Sequence, residues 1–410
     1  MILVLSRYVK DDLESIFRCI PKENRFLITS KKDATEEKKT ELKNIFKEVV
    51  FVDEYYDSSE VEIEALKLHK AYRYNRIVTP ANGESDLIRA ASLRSYLNLE
   101  GQSYESALAF RDKFIMKEEV SKAGIKTPEY SLINSTIDLL NFVDRVGYPI
   151  IIKPLRGVAS INTRIFRTNE ELINFLKLTN FSFEKIPMLA ESYIEGKMFH
   201  VDGIVINGEV KAIWPSIYIG TAMDMVNGSF FANHLLSKEN PMNFYICEFA
   251  KRVLSALPTP KSTVFHLELF QNRQNDLIFC EIASRAGGGY TNSIWTEAFE
   301  IPLRDIFYKI QAGLEIPKIT LDFVPSCIPS SVVLPKKSGK IIKISQKCPL
   351  DYVSRYKTFF REGDITEETT DTMSPILSSL IIGESEGDII NKISGFLKWT
   401  EETMKYETQE

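Results

Sequence analysis

The chain has 410 residues, of which 44% are hydrophobic and 26% charged. That is globular composition, and at roughly 150 residues per domain it implies two or three domains. Lys plus Arg total 51 against 56 for Asp plus Glu, so the formal net charge is −5. A mildly acidic chain without a basic block argues against a general nucleic-acid binder. No apolar run approaches the ~20 residues of a membrane helix, and Met1 to Leu5 is too short for a signal-peptide core. Cys19, Cys247, Cys280, Cys327 and Cys348 form no CxxC pair, which suits reduced thiols in the cytoplasm. The four histidines show no HxxxH zinc spacing.

Residues 1–105 alternate short apolar runs with polar helical stretches. Strands are predicted at 2–5, 25–28, 49–52 and 76–78. Helices are predicted at 11–19, 35–47, 60–72 and 84–97. Such alternation gives a parallel sheet with right-handed crossovers. The unit is Rossmann-like, but its first turn, Ser6-Arg7-Tyr8-Val9, lacks the GxGxxG phosphate cradle.

Residues 106–195 read as an α+β segment the size of a small lid. A helix is predicted over 106–123, ending at Gly124. Strands follow near 130–133, 148–154, 160–167 and 188–191, with helices from Asn134 or Ser135 to Val146 and over 169–178. Residues 196–325 form a third region. Asn207-Gly208 marks a hairpin between 197–206 and 209–218. Residues 219–240 read as a long loop, 244–257 as a helix, 264–271 and 277–283 as strands, and 304–312 as a helix. Residues 326–410 read as a small C-terminal α+β subdomain closed by a helix over 385–405.

The pair of strands around Glu268 and Glu281 carries the chemistry. Alternation puts His266 and Glu268 on one face of the first strand, and Glu281 and Ala283 on one face of the second. A turn of even length, Gln274-Asn275 or Arg273 to Asp276, sets Glu268 directly opposite Glu281. A one-residue slip separates their faces. Opposed carboxylates repel, and a hard divalent cation such as Mg²⁺ offsets that repulsion. The plainer alternative is an edge hairpin with both acids in solvent. Ala283-Ser284-Arg285-Ala286-Gly287-Gly288-Gly289 follows. Its glycines admit close backbone approach, and Arg285 offers a planar fork for phosphate or carboxylate. Lys153 ends the apolar Ile150-Ile151-Ile152, where a buried ammonium needs a partner. Lys113, taken alone, reads more readily as a solvated helix lysine than as a ligand.

Together these residues resemble the ATP-grasp superfamily of carboxylate–amine ligases. The motifs run in order: Glu84 and its helix, Arg111-Asp112-Lys113, Ala123 to Pro128, Tyr148 to Pro154, Glu191 to Gly196, then Glu268, Glu281 and Arg285. The sequence is especially similar to amino-acid ligases and to the glutamate–carrier-protein ligase of aminoglycoside antibiotic biosynthesis. The resemblance implies a Rossmann-like N-terminal domain, a two-lobed ATP-grasp fold and an α+β tail. It implies ATP with Mg²⁺, or Mn²⁺ in its place, held by Glu268 and Glu281. Lys113 and Lys153 are expected on the phosphates, Ser160 in the loop 157–163 that covers them, and the hinge Glu191, Ser192, Tyr193 and Ile194 at the adenine. His200 or Asp202 is expected to stand in for a ribose-binding acid, since Met198 and Phe199 follow the hinge. Arg285 and Lys153 are the expected catalytic cations. Ala283 replaces a common asparagine metal ligand.

The implied activity is ADP-forming. A carboxylate, an amino acid's, becomes an acyl phosphate and is joined to an amine. A carrier-protein phosphopantetheine thiol is the alternative acceptor, and a nucleotide-binding regulatory module is the reading from another class. A homodimer with no nucleic-acid or membrane partner is expected. No GxSxG or other nucleophile constellation competes.

Overall fold

The computed structural model describes residues 1–9, 13–81, 83–158, 160–178, 183, 186–319, 324–371 and 374–407. Strands Ile2–Leu5, Arg25–Ser30, Glu48–Val52 and Arg76–Val78 form a wholly parallel sheet, with the first strand between the second and the fourth. Leu3, Leu5, Phe26 and Ile28 pack against Val61, Ala65 and Leu68 of the helix Glu60–Tyr72. The first helix is Glu14–Cys19, and the expected start at Asp11 and Asp12 lies outside the described residues. This unit is tied to the rest of the chain by helix Leu303–Ala312. Gln311 accepts from the Thr79 N–H at 3.0 Å, and the Tyr308 hydroxyl accepts from the Ala81 N–H at 3.2 Å.

The single helix expected over 106–123 is two, Tyr104–Ala109 and Lys113–Lys122. Asp112 caps the second, its Oδ1 accepting from the N–H groups of Phe114 and Ile115. The break leaves Arg111, Asp112 and Lys113 at a corner, where their side chains leave the helix end together.

The lid is a four-stranded antiparallel sheet in the order Tyr130–Ile133, Met188–Ser192, Ile150–Pro154, Arg164–Phe166. Leu139, Phe142 and Val143 of helix Thr136–Val146 and Leu172 of helix Asn169–Leu178 cover one face, against Ile150 and Ile152. Alternation therefore sends Lys153 away from that core.

The largest sheet has eight antiparallel strands in the order Leu277–Ala283, Thr263–Asn272, Gly196–Ile206, Glu209–Ile219, Phe231–Leu235, Ile328–Leu334, Leu377–Gly383, Val353–Thr358. Asn207 and Gly208, with φ 53° and 83°, make the expected tight turn. Two findings depart from expectation. The stretch 219–240 is not one long loop: it holds a capped helix, Ala222–Val226, and the strand Phe231–Leu235 in the middle of the sheet. Phe-Ala-Asn-His-Leu lacks a strand's apolar alternation because its polar residues are buried and bonded within the sheet. Three strands of the C-terminal segment also continue this same sheet, while Gly339–Lys343, Ile365–Thr366 and Lys405–Glu407 form a small separate one. Among the described residues no helix is long and apolar enough to cross a membrane.

Candidate active site

Glu268 and Glu281 stand directly opposite each other, as do His266 and Ala283. The expected reason was wrong. The turn is odd, not even: Asn272 N–H donates to the Asp276 carbonyl at 3.1 Å, and Asn275 takes a left-handed φ of 64°. This gives a three-residue loop. Beyond Glu268 the register shifts, so that Leu269 pairs with Phe279 and Cys280 is bulged out. The extra residue restores the facing carboxylates and strengthens the local twist.

Two lysines one helical turn apart meet this hairpin. Lys113 Nζ lies 3.1 Å from Glu281 Oε2 and donates to the Gly157 carbonyl at 3.0 Å. Lys117 Nζ, wholly buried, donates to the Cys280 carbonyl at 2.6 Å and pairs with Glu191 Oε1 at 3.1 Å. The other oxygen of Glu191 pairs with Lys153 at 3.0 Å. Burial opposes charge on Lys153, yet Glu191 and Glu281 raise its pKa above the usual lysine value. Burial likewise opposes charge on Glu281, but Lys113 and Lys153 hold its carboxyl down at about 2. The neighbouring ammonium groups keep both acids of this cluster ionised.

Glu268 is held from below. Tyr218 donates its hydroxyl to Oε1 at 2.8 Å, and His266 Nε2 lies 3.7 Å from the same oxygen. His266 Nδ1 is 2.8 Å from Asp202 Oδ1, and His200 Nδ1 is 2.7 Å from Asp202 Oδ2. Ser331 N–H donates to Asn233 Oδ1, which turns the Asn233 amide nitrogen toward His200 Nε2 at 2.9 Å. The chain of bonds thus runs from a C-terminal strand to the acidic pair. Burial opposes charge on His266, but Asp202 raises its pKa to about 10. A Cβ on Gly287 would stand 2.7 Å from His266 Nδ1, so the first glycine of the triplet serves close packing.

Arg111, Lys113, Gly157, His266, Glu281 and Arg285 line one cleft. Arg285 Nη1 donates to the Ala286 carbonyl at 2.7 Å. Over the cleft, Arg111 donates to the carbonyls of Arg156 and Gly157, and Arg156 Nε reaches Asp112 Oδ2 at 3.2 Å. Ser160 sits in the covering loop with φ 59°, and Thr163 N–H bonds its carbonyl at 3.0 Å. Ala159, in the same loop, lies outside the described residues.

The remaining expected residues lie as follows. The N–H groups of Ser192 and Tyr193 donate to the carbonyls of Glu129 and Pro149, and Ser192 Oγ accepts from the Glu129 N–H. The Tyr193 ring lies under the Arg167 guanidinium at 5.6 Å, and Ile194 is half-buried. His200 is buried, with one ring nitrogen on Asp202 and the other on Asn233, so it does not face the cleft expected of a ribose contact. Sequence reasoning missed Lys117 and Tyr218. The i,i+4 spacing of Lys113 and Lys117 was the available signal for the first.

The donor set suits a hard cation. The protein contacts described use one oxygen of each opposed carboxylate, Glu268 Oε1 and Glu281 Oε2, and leave each a second oxygen for Mg²⁺.

Residues 110–264 match the ATP-grasp domain family. The chain is 25% identical over 351 residues to an L-arginine-specific L-amino acid ligase of Bacillus subtilis, covering 83% of each protein. In fold it is similar to an L-amino acid ligase from Bacillus licheniformis, with TM-score 0.76 and 16% identity over 100% of this chain and 98% of that one. It is also similar to the biotin carboxylase domain of a Hydrogenobacter thermophilus 2-oxoglutarate carboxylase, solved with MgADP, with TM-score 0.66 and 13% identity over 99% and 90% of the two chains. The corner at Lys113, the lid bearing Lys153 and Glu191, and the strand bearing His200 and Asp202 all fall within residues 110–264, the stretch that matches the ATP-grasp domain.

Proposed function

We propose that the protein is an ATP-dependent, ADP-forming ligase that joins an amino acid to an amine through an acyl phosphate. One observation carries the reading: Glu281, which directly faces Glu268 across the hairpin, shares a cleft with Lys113 and Arg285, and Lys153 joins the same charge cluster through Glu191. The similarity to an L-amino acid ligase over 83% of the chain supports an amino-acid substrate.

In this reading Glu268 and Glu281 hold Mg²⁺, whose charge neutralises the β- and γ-phosphates. Lys113 and Lys153 take phosphate oxygens. The substrate carboxylate oxygen attacks the γ-phosphorus, the bond to the β-phosphate oxygen breaks, and ADP and an acyl phosphate result. Arg285 steadies the anionic oxygens. The acceptor amine then attacks the acyl carbon, losing a proton as phosphate departs. The loop 157–163, tied at its base to Arg111 and Lys113, keeps water from the acyl phosphate. Of the hinge, Ile194 and the carbonyl of Ser192 are the groups offered to adenine, because the N–H groups of Ser192 and Tyr193 are occupied and Glu191 is paired with Ile151 in the lid sheet. His200 is left out of the nucleotide set for the same reason. Five free thiols fit a reducing cytoplasm.

The test is phosphate release from ATP over pairs of amino acids, with product mass measured, and with an acyl carrier protein in a parallel arm. A dipeptide mass with stoichiometric phosphate is expected. A carrier-protein mass shift without dipeptide would replace the amine by a thiol. ATP binding with no phosphate release in either arm would leave a nucleotide-binding module.

A further inference from the structure

Lys117 has no part in the chemistry described above, yet it is the most deeply buried lysine of the cluster. Its helix, Lys113–Lys122, presents Lys113 and Lys117 on one face. Lys113 reaches the cleft. Lys117 points instead into the seam between lid and hairpin, where three things meet it. Glu191 Oε1 comes from the lid strand at 3.1 Å. The Cys280 carbonyl comes from the bulge of the hairpin at 2.6 Å. The Phe279 ring lies 5.3 Å away. The bulge matters here, because a bulged residue is left unpaired in the ladder and its carbonyl is available to another donor.

A wholly buried ammonium is costly, and a methionine of similar length would pack against Phe279 without that cost. What the ammonium adds is charge at Glu191. That carboxylate is shared, one oxygen to Lys117 and the other to Lys153. Without Lys117, the whole negative charge of Glu191 would fall to Lys153 and hold its ammonium back from any other anion. With Lys117, Glu191 is anchored to the hairpin and only half engaged by Lys153.

We infer that Lys117 is a positioning residue: it locks the Glu191 strand of the lid to the Cys280 bulge, and so sets Lys153 where the nucleotide phosphates pass Glu281. The inference rests on the reading of Lys153 as a phosphate ligand.

The test uses Lys117→Gln, which keeps donors for Cys280 and Glu191 but removes the charge, and Lys117→Met as the apolar counterpart. The Kd for MgADP, the KM for ATP and the KM for the amino acids are measured in the full chain, beside thermal melts. Expected is a rise of about tenfold or more in the ATP and ADP constants, the scale of one weakened charge-assisted hydrogen bond, with the amino-acid KM unchanged. A shift in melting temperature with nucleotide constants unchanged in Lys117→Gln would overturn the inference and leave the ligase reading intact. Absence of phosphate release from the unaltered protein would overturn the ligase reading, while MgADP affinity would still decide the place of Lys117.

Discussion

The Tyr218 hydroxyl and Glu268 Oε1 are 2.8 Å apart, and the half-buried phenol stacks on Phe231, their ring centroids 5.1 Å apart. Burial and the adjacent carboxylate raise the Tyr218 pKa well above that of a free phenol, so the hydroxyl stays a donor. It holds Oε1 of Glu268 and leaves Oε2 as the oxygen for the proposed cation. Tyr218→Phe is expected to weaken metal binding by roughly 10–100-fold, the usual effect of losing a partner behind a metal ligand. Mn²⁺ binding followed by electron paramagnetic resonance checks this, and an unchanged Mn²⁺ affinity would refute it.

The acidic pair itself makes a sharper demand. Glu281→Gln removes a proposed metal ligand and also the partner of Lys113. Glu268→Gln removes the other proposed ligand and the negative charge beside Tyr218 and His266, but leaves the partner of Lys113 in place. Both variants are expected to lose on the order of 100-fold or more in kcat, as removal of a preorganised charge-stabilising group does. Glu281→Gln is expected to differ in also changing the salt dependence of ATP binding, because Lys113 is released. Equal salt profiles for the two variants would count against the pairing.

Asp86, on the helix Glu84–Leu97, supplies a pH test remote from the cleft. It is almost wholly buried, and desolvation pushes its carboxyl up to about 7 from an ordinary 3.8, against the pull of Arg89. The folded chain therefore holds a proton that the unfolded chain has already lost. The sign is a loss of stability as pH rises from about 4 through about 7. Asp86→Asn mimics the neutral acid. It is expected to match the wild type near pH 4 and to exceed it at pH 8 by up to about 4 kcal/mol. Denaturant midpoints at the two pH values check the difference, and a gain that is larger at pH 4 would contradict it.

The C-terminal segment makes the fourth prediction. Strand Phe231–Leu235 is paired on its outer side by Ile328–Leu334. A chain ended at residue 325 bares that edge and the apolar face beneath it. Such a bare edge is a template for aggregation. The truncated protein is expected in the insoluble fraction, and a soluble truncated monomer that binds MgADP would refute this.

The parallel sheet, the Asn207-Gly208 hairpin and the facing glutamates were legible because each rests on a local rule: alternation, turn chemistry or period. Lys153 was legible because a cation breaking an apolar run is conspicuous. Lys117 was not, since one lysine on an exposed-looking helix face carries no mark of the seam it will enter. Strand Phe231–Leu235 was hidden for a related reason: Asn233 and His234 are buried polar residues, and only their tertiary partners make them suitable for a sheet. The hairpin is the most instructive element. Its turn differs by one residue from the even turn the pattern predicts, and the bulge at Cys280, which no local pattern announces, returns the carboxylates to the expected pairing. Alternation puts His200 on the strand face it shares with Asp202, but its ring is absorbed by Asn233 and Asp202, and Asn233 lies on the strand Phe231–Leu235 that no local pattern announces.

The bond from Ser331 to Asn233 has a consequence for how the molecule matures. A ribosome delivers residues 1–325 before the strand that holds Asn233 in place. The nascent chain thus carries both glutamates and all three lysines while their support is still being synthesised. In the proposed reading, nucleotide handling is expected to begin only once strand Ile328–Leu334 has joined the sheet and Ser331 holds Asn233, so that a half-made copy would not consume ATP.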